Sequence, residues 1–179
     1  MVTNEYINWK QLGFSLSMSC YVDFYRGKTP TACGGFFISD ILDVRFDNDM
    51  LESEHRYIQW IFPMKVLSQA QPGAANEPLT DEAIQVMRSD QAIQCKVEKV
   101  VVKMLDFWGM ALLLDKSVIV VDPLIFKKKL GLRNHNQLRM TRMLTFLRYL
   151  EWPLVDSIKE VLFANVNQRS AALQFWGRV

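Results

Sequence analysis

His135, Arg139, Arg142, Phe146 and Tyr149 follow one another at spacings of four, three, four and three. That repeat keeps residues on one face of a helix. The face begins cationic and ends aromatic, so it should leave a pocket or interface and run into the core. Arginine suits bidentate contact with a carboxylate or phosphate, and a histidine beside it can hold or move a proton near neutral pH. Two readings are open. Arg139 and Arg142 grip the anionic group of a ligand, or they pair with acids of the fold such as Glu52, Glu54 or Asp106. If such pairs are buried, losing one partner costs about 3–5 kcal/mol.

A second group lies in HRYIQWIFP, residues 55–63. His55 shares an apolar stripe with Leu51, Ile58 and Phe62, the setting of a core histidine with its hydrogen bonds satisfied. Gln59 and Trp60 offer an amide and a large apolar surface. Trp108 offers a second such surface. The candidate ligand-binding residues are therefore His55, Gln59, Trp60, Trp108, His135, Arg139 and Arg142.

Other chemistry finds little footing. The chain has two histidines, and its three cysteines, Cys20, Cys33 and Cys95, contain no CxxC. Neither a metal site, a cofactor site nor a disulfide framework is read from that pattern. Reduced, buried thiols of an intracellular protein are the expectation. There is no GxSxG, HExxH, phosphate-binding glycine loop or GxGxxG, so no catalytic residue is assigned.

These residues must be positioned by helices. YVDFYR, 21–26, reads as a short helix stopped by GKTP. Phe36–Asp43 is a helical turn or an extended piece. Asp49, with Glu52 three residues on, predicts a capped helix over about 50–62 that Pro63 ends. Thr80 caps a helix over 81–88, and Asp90 or Ser89 caps a long one over about 91–108. The stripe Ile93, Val97, Val100, Val101, Met104, Leu105 and Trp108 faces the core, and Gly109 supplies the left-handed end. Residues 111–121 are compatible with a small hairpin around Asp115–Lys116. Asp122–Pro123 opens a helix to about Leu130, and further helices cover about 136–151 and 154–165. The terminal SAALQFW is apolar enough to dock on the core. Residues 66–79 read as a loop, and residues 1–19 as an irregular arm or short helix before a domain of 20–179. The expectation is an all-α array of about six to eight helices.

The totals suit one folded domain. Half of the 179 residues are hydrophobic and the net charge is +2, so composition alone selects no partner. Its distribution is uneven. From Pro123 to Leu150 there are seven basic residues and no acid, whereas Asp40–Glu54 holds six acids against Arg45. The two segments either face each other in the fold or present a basic surface to an acidic partner. The KKK run at 127–129 lacks interleaved aromatics and gives no support for nucleic acid. No signal peptide is read at the N-terminus. No apolar run approaches the roughly 18–20 residues of a membrane span, so any membrane association would be peripheral.

Several of these stretches occur together in one known family. FYRG (24–27), RYIQWIFPM (56–64), LTDEAI (79–84), VKMLDFWGMAL (102–112), NHNQLRMTRML (134–144) and SAALQFW (170–176) resemble, in this order, the conserved region of the opioid growth factor receptor. The resemblance covers about residues 20–179, with 113–133 departing from it. It implies a receptor that binds the peptide Met-enkephalin, restrains growth and is associated with the nucleus or nuclear envelope. It implies no catalytic residue. Ending at 179 without the long, repeat-bearing tails of the animal receptors, the chain reads as a stand-alone homologue. The reading that follows is a non-enzymatic peptide- or protein-binding helical module, with an expected aromatic groove near Trp60 and Trp108 and Arg139 and Arg142 at its rim, where a peptide would bury its side chains and set its carboxylate against a guanidinium. The alternatives are an enzyme on an anionic small molecule, with His135 as acid–base and Arg139 and Arg142 as clamp, or a structural subunit of an assembly.

Overall fold

The computed structural model describes residues 19–32, 34–67, 73 and 77–179. Among these residues the chain forms ten helices and one hairpin. In order they are α1 (Cys20–Arg26), α2 (Ile38–Leu42), α3 (Asn48–Ser53), α4 (Ile58–Ile61), α5 (Asp81–Ser89), α6 (Gln91–Phe107), β1 (Met110–Leu112), β2 (Val118–Val120), α7 (Pro123–Leu130), α8 (Asn136–Tyr149), α9 (Leu154–Asn165) and α10 (Ala172–Arg178). The all-α expectation holds, with the hairpin it allowed. The helix number exceeds the expected six to eight because α2, α3, α4 and α10 are short. Residues 1–18, most of the expected arm, and most of the expected loop over 66–79 lie outside the described residues, as does Cys33.

Local chemistry sets most boundaries. Thr80 accepts from Ala83 N–H to start α5. Asp90 accepts from Ala92 and Ile93 N–H to start α6, and Asp122 accepts from Leu124 and Ile125 N–H just before Pro123. Each satisfies amides that have no partner inside the helix. Gly109 carries the chain out of α6 at φ 74°. A Cβ there would lie 2.6 Å from Asp122 O and 2.9 Å from Phe126 N, so this turn needs glycine for space as well as for φ. The strand that follows is antiparallel to β2, with Ala111 opposite Ile119.

One expected helix is two. Instead of a single run over 50–62, α3 ends at Ser53 and α4 begins at Ile58. The N-cap is Asp47, not Asp49: its carboxylate accepts from Asp49 and Met50 N–H. Another expectation fails at Cys95, whose side chain is exposed rather than buried.

The core forms around α6 and α8. Ile93, Val97, Val100, Val101, Met104, Leu105 and Trp108 are all buried, as their stripe predicts, and share one core cluster with Met140, Met143, Leu144, Phe146 and Leu147 of α8. Trp60 fills the space between α1 and α4, edge-on to Tyr21 and Phe24 with ring centroids 5.5 Å apart. The C-terminal stretch docks as expected: Trp176 is buried and its Nε1 donates to Thr141 Oγ1 at 2.9 Å.

Candidate functional site

The face that begins at His135 leaves the surface at once but does not sink steadily into the core, because Arg142 and the terminal Tyr149 are only partly buried. His135 is exposed, Arg139 is 4% exposed, and Phe146 is fully buried. Arg139 lies across the C-terminus of α3. Its Nη1 donates to Leu51 O at 2.5 Å and Asn136 Oδ1 at 3.3 Å. Its Nη2 reaches Glu52 O at 3.2 Å, Glu54 O at 3.5 Å and His55 Nδ1 at 2.9 Å. The guanidinium thus binds the backbone of Glu52 and Glu54, not their carboxylates as the ion-pair reading expected. A cation is favoured there by the negative end of the helix.

The Glu52 carboxylate is used elsewhere. It meets Lys129 Nζ at 2.5 Å, His135 Nε2 at 3.1 Å and Asn136 Nδ2 at 3.4 Å. Partial burial raises its pKa, but the hydrogen bond and charge of Lys129, with Asn136 and His135, bring it below the usual value. The acidic and basic segments therefore face each other here. His135 moves below the ordinary histidine value, first through burial and then through the charge of Arg139, against the opposing pull of Glu52.

His55 and His135 come together, with ring centroids 5.3 Å apart. His55 is exposed, which corrects the expectation of a core histidine. Its Nδ1 accepts from Arg139, which assigns the proton of the neutral ring to Nε2. Lys129 and Arg139 beside the pair make the cluster cationic, and no group of three His, Cys, Asp or Glu among the described residues could hold a metal.

Arg142 is more than half buried and differs from Arg139. Its Nε donates to Phe62 O at 2.7 Å, and it forms no ion pair among the described residues. Burial lowers its pKa to about 10, with Tyr21 and Tyr149 opposing. The remaining candidates belong to the interior. Trp60 and Trp108 are sealed in the core, so the expected aromatic groove does not open beside them. Gln59 Oε1 and Trp108 Nε1 are buried without a hydrogen-bond partner among the described residues, an arrangement that normally costs stability.

The groove the fold does build lies between α6 and residues 42–51, closed at one end by β1. It encloses about 980 Å³. Leu42, Phe46, Leu51, Val102, Met110 and Leu112 give it an apolar surface, and Asp47, Glu98, Asp106, Lys99 and Lys103 put both signs of charge on its margin. Lys103 fixes one wall to the other: its Nζ donates to Asp43 O at 2.7 Å and lies 5.8 Å from the Phe46 ring centroid. Burial lowers its pKa, while Asp43 and Asp47 pull the other way. None of the seven candidates from the sequence lines this groove. A signal was present in α6: Cys95, Lys99, Val102 and Asp106 repeat at four, three and four, opposite the core stripe, and all four are exposed. Val102 is an aliphatic residue on that outer face.

The model of the opioid growth factor receptor conserved region matches residues 16–165. The chain belongs to that family. It is 36% identical to the human opioid growth factor receptor over 132 residues, which is 70% of this chain and 19% of that protein. It is 30% identical to the rat opioid growth factor receptor-like protein 1 over 185 residues, covering 97% of this chain and 39% of the relative. The like protein 1 of Xenopus tropicalis is 31% identical over 169 residues, 88% of this chain and 32% of the relative. The chain thus spans well under half the length of these relatives. No solved structure matches it. The Arg139 cap, the Trp60 core contact and the Gly109 turn all fall within the stretch that the family model matches.

Proposed function

We propose that this chain is a non-enzymatic receptor module, comprising residues 20–179, that binds an extended segment of a peptide or protein in the groove between α6 and residues 42–51. The observation that carries the reading is the groove itself. Its volume of about 980 Å³ lies near the top of the range of ligand pockets, and an apolar floor with charges of both signs at the margin suits side chains below and polar groups above. The family name, receptor, points the same way, and a growth-regulatory signalling role inside the cell is the family-level expectation. Arg142, held by one backbone carbonyl, is a candidate second contact for an anionic group of the same partner. Arg139 serves as a structural clamp, and His55 and His135 extend the partner-facing surface beside it.

The test is the melting temperature of the chain with Met-enkephalin, the peptide the family resemblance implies, against a scrambled peptide. At a hundred times the dissociation constant, binding adds about 2.7 kcal/mol, roughly 5–10 °C for a domain of this size. Val102→Arg, on an exposed position of the groove, should abolish the shift and leave the ligand-free melting temperature in place. No shift with either peptide refutes Met-enkephalin as ligand. A shift that survives Val102→Arg refutes the groove.

A further inference from the structure

Among the described residues, four of the seven basic residues of 123–150 are held by an acid or a backbone carbonyl and three are held by neither. Lys129 is held by Glu52, Arg139 by the carbonyls that end α3, Arg142 by Phe62 O, and Arg148 by Asp156 and Val179 O. Lys127, Lys128 and Arg133 form no ion pair among the described residues, and all three are exposed. They collect at one place, the C-terminal end of α7 and the turn after it. Exposed leucines occur on the same stretch of chain: Leu124 is 82% exposed, Leu138 71% and Leu132 50%.

A recess opens at this place. It encloses about 660 Å³ between α7 and the segment after α9. Phe126, Leu130, Leu132 and Val166 line it, Lys127 and Lys128 stand at its edge, and no acid among the described residues contributes to it. The carbonyls at the end of α7 are already occupied, with Gln137 Nε2 donating to Leu130 O and Gly131 O and Asn134 Nδ2 to Lys128 O. The cations therefore act outward rather than on the helix end alone. Lysines in a last helical turn also offset the helix dipole, but that accounts for neither Arg133 nor the aliphatics. Arg133 is held at φ 61°, a left-handed conformation that glycine or asparagine adopts at less cost.

We infer that this recess docks an acidic, leucine-containing segment of a partner protein. Apolar side chains enter between Phe126 and Val166, and the segment's carboxylates meet Lys127, Lys128 and Arg133. The concave shape favours a peptide segment over a lipid surface, which needs a convex or flat face. This is a second surface, separate from the groove along α6, and it does not rest on the receptor reading.

The probe is a fluorescein-labelled peptide of about twelve glutamates and leucines at helical spacing, followed by anisotropy. Comparison peptides replace every leucine by serine, or every glutamate by lysine. The Glu/Leu peptide should bind, with affinity falling as salt rises. The double variant Lys127→Glu with Lys128→Glu should weaken it by about tenfold or more, and Leu132→Ser by about fivefold. Both changes are at exposed positions, and circular dichroism confirms that the fold is kept. Equal binding of the Glu/Ser peptide, indifference to the charge reversal, or loss of binding on Val102→Arg instead would overturn the proposal. So would sedimentation with phosphatidylserine vesicles in the absence of peptide binding.

Discussion

Replacing Arg139 by alanine should be among the most damaging single changes outside the apolar core. Arg139 is 4% exposed, and its guanidinium contacts the carbonyls of Leu51, Glu52 and Glu54. Leu51 O keeps Tyr57 Oη as a second donor at 3.1 Å, so truncation orphans chiefly Glu52 O and Glu54 O. A hydrogen bond to a charged group contributes about 1.5–3 kcal/mol, and a buried acceptor left unpaired costs about 1–3 kcal/mol. Because Leu51 O is partly rescued, the expected loss is about 3–5 kcal/mol, not the sum of every contact. Urea denaturation followed by tryptophan fluorescence measures it, and the midpoint should fall with the slope unchanged. Arg139→Lys should recover only part of the loss, because one ammonium cannot span carbonyls that a planar fork reaches together. A loss below about 1 kcal/mol for Arg139→Ala, or full rescue by lysine, would refute the capping role.

Three further outcomes follow from the same structure. Trp60→Ala should cost about 3–5 kcal/mol as a buried indole is removed; calorimetry checks this, and a value under about 1 kcal/mol would place Trp60 outside the core. Gly109→Ala should cost more than the roughly 1 kcal/mol of a left-handed alanine, because its Cβ meets Asp122 O at 2.6 Å; Gly35→Ala, with φ 67° and nothing within 4 Å, is the control, and equal costs would contradict the steric argument. His135 has its folded pKa below the ordinary 6.5, so the unfolded chain binds the proton more readily. Stability is therefore complete above pH 6.5 and falls as pH drops through the folded value. Glu52, also depressed, adds acid lability at lower pH. His135→Asn should flatten the stability profile just below pH 6.5, and an unchanged slope would remove His135 as its source.

Much of this fold can be read from local pattern. The stripe of α6, the caps Thr80, Asp90 and Asp122, and the Gly109 end are short-range signals, and the structure follows them. The break between α3 and α4 is not short-range. Residues 50–62 read as one helix, in which Leu51, Glu52 and Glu54 carbonyls would accept from amides four residues on. Arg139, more than eighty positions away, takes those carbonyls instead. The same contact explains why Arg139 looked like a ligand residue: a buried guanidinium on a mixed face is equally what a helix end requires. His55 differs from its expectation for a related reason: the apolar stripe it shares belongs to a helix that stops before it. The groove along α6 was hidden because Val102 follows Val100 and Val101, and its exposure depends on residues 42–51 standing off from that face.

The most direct test of the receptor reading is a titration of the ¹⁵N-labelled chain with Met-enkephalin, read as amide chemical-shift changes. The largest shifts should fall on residues 42–51, on Cys95, Lys99, Val102 and Asp106 on the outer face of α6, and on β1, with smaller ones around His55, His135 and Arg142, and Val102→Arg should erase them. Shifts centred instead on α7 and the turn after it, or none at saturating peptide, would contradict it.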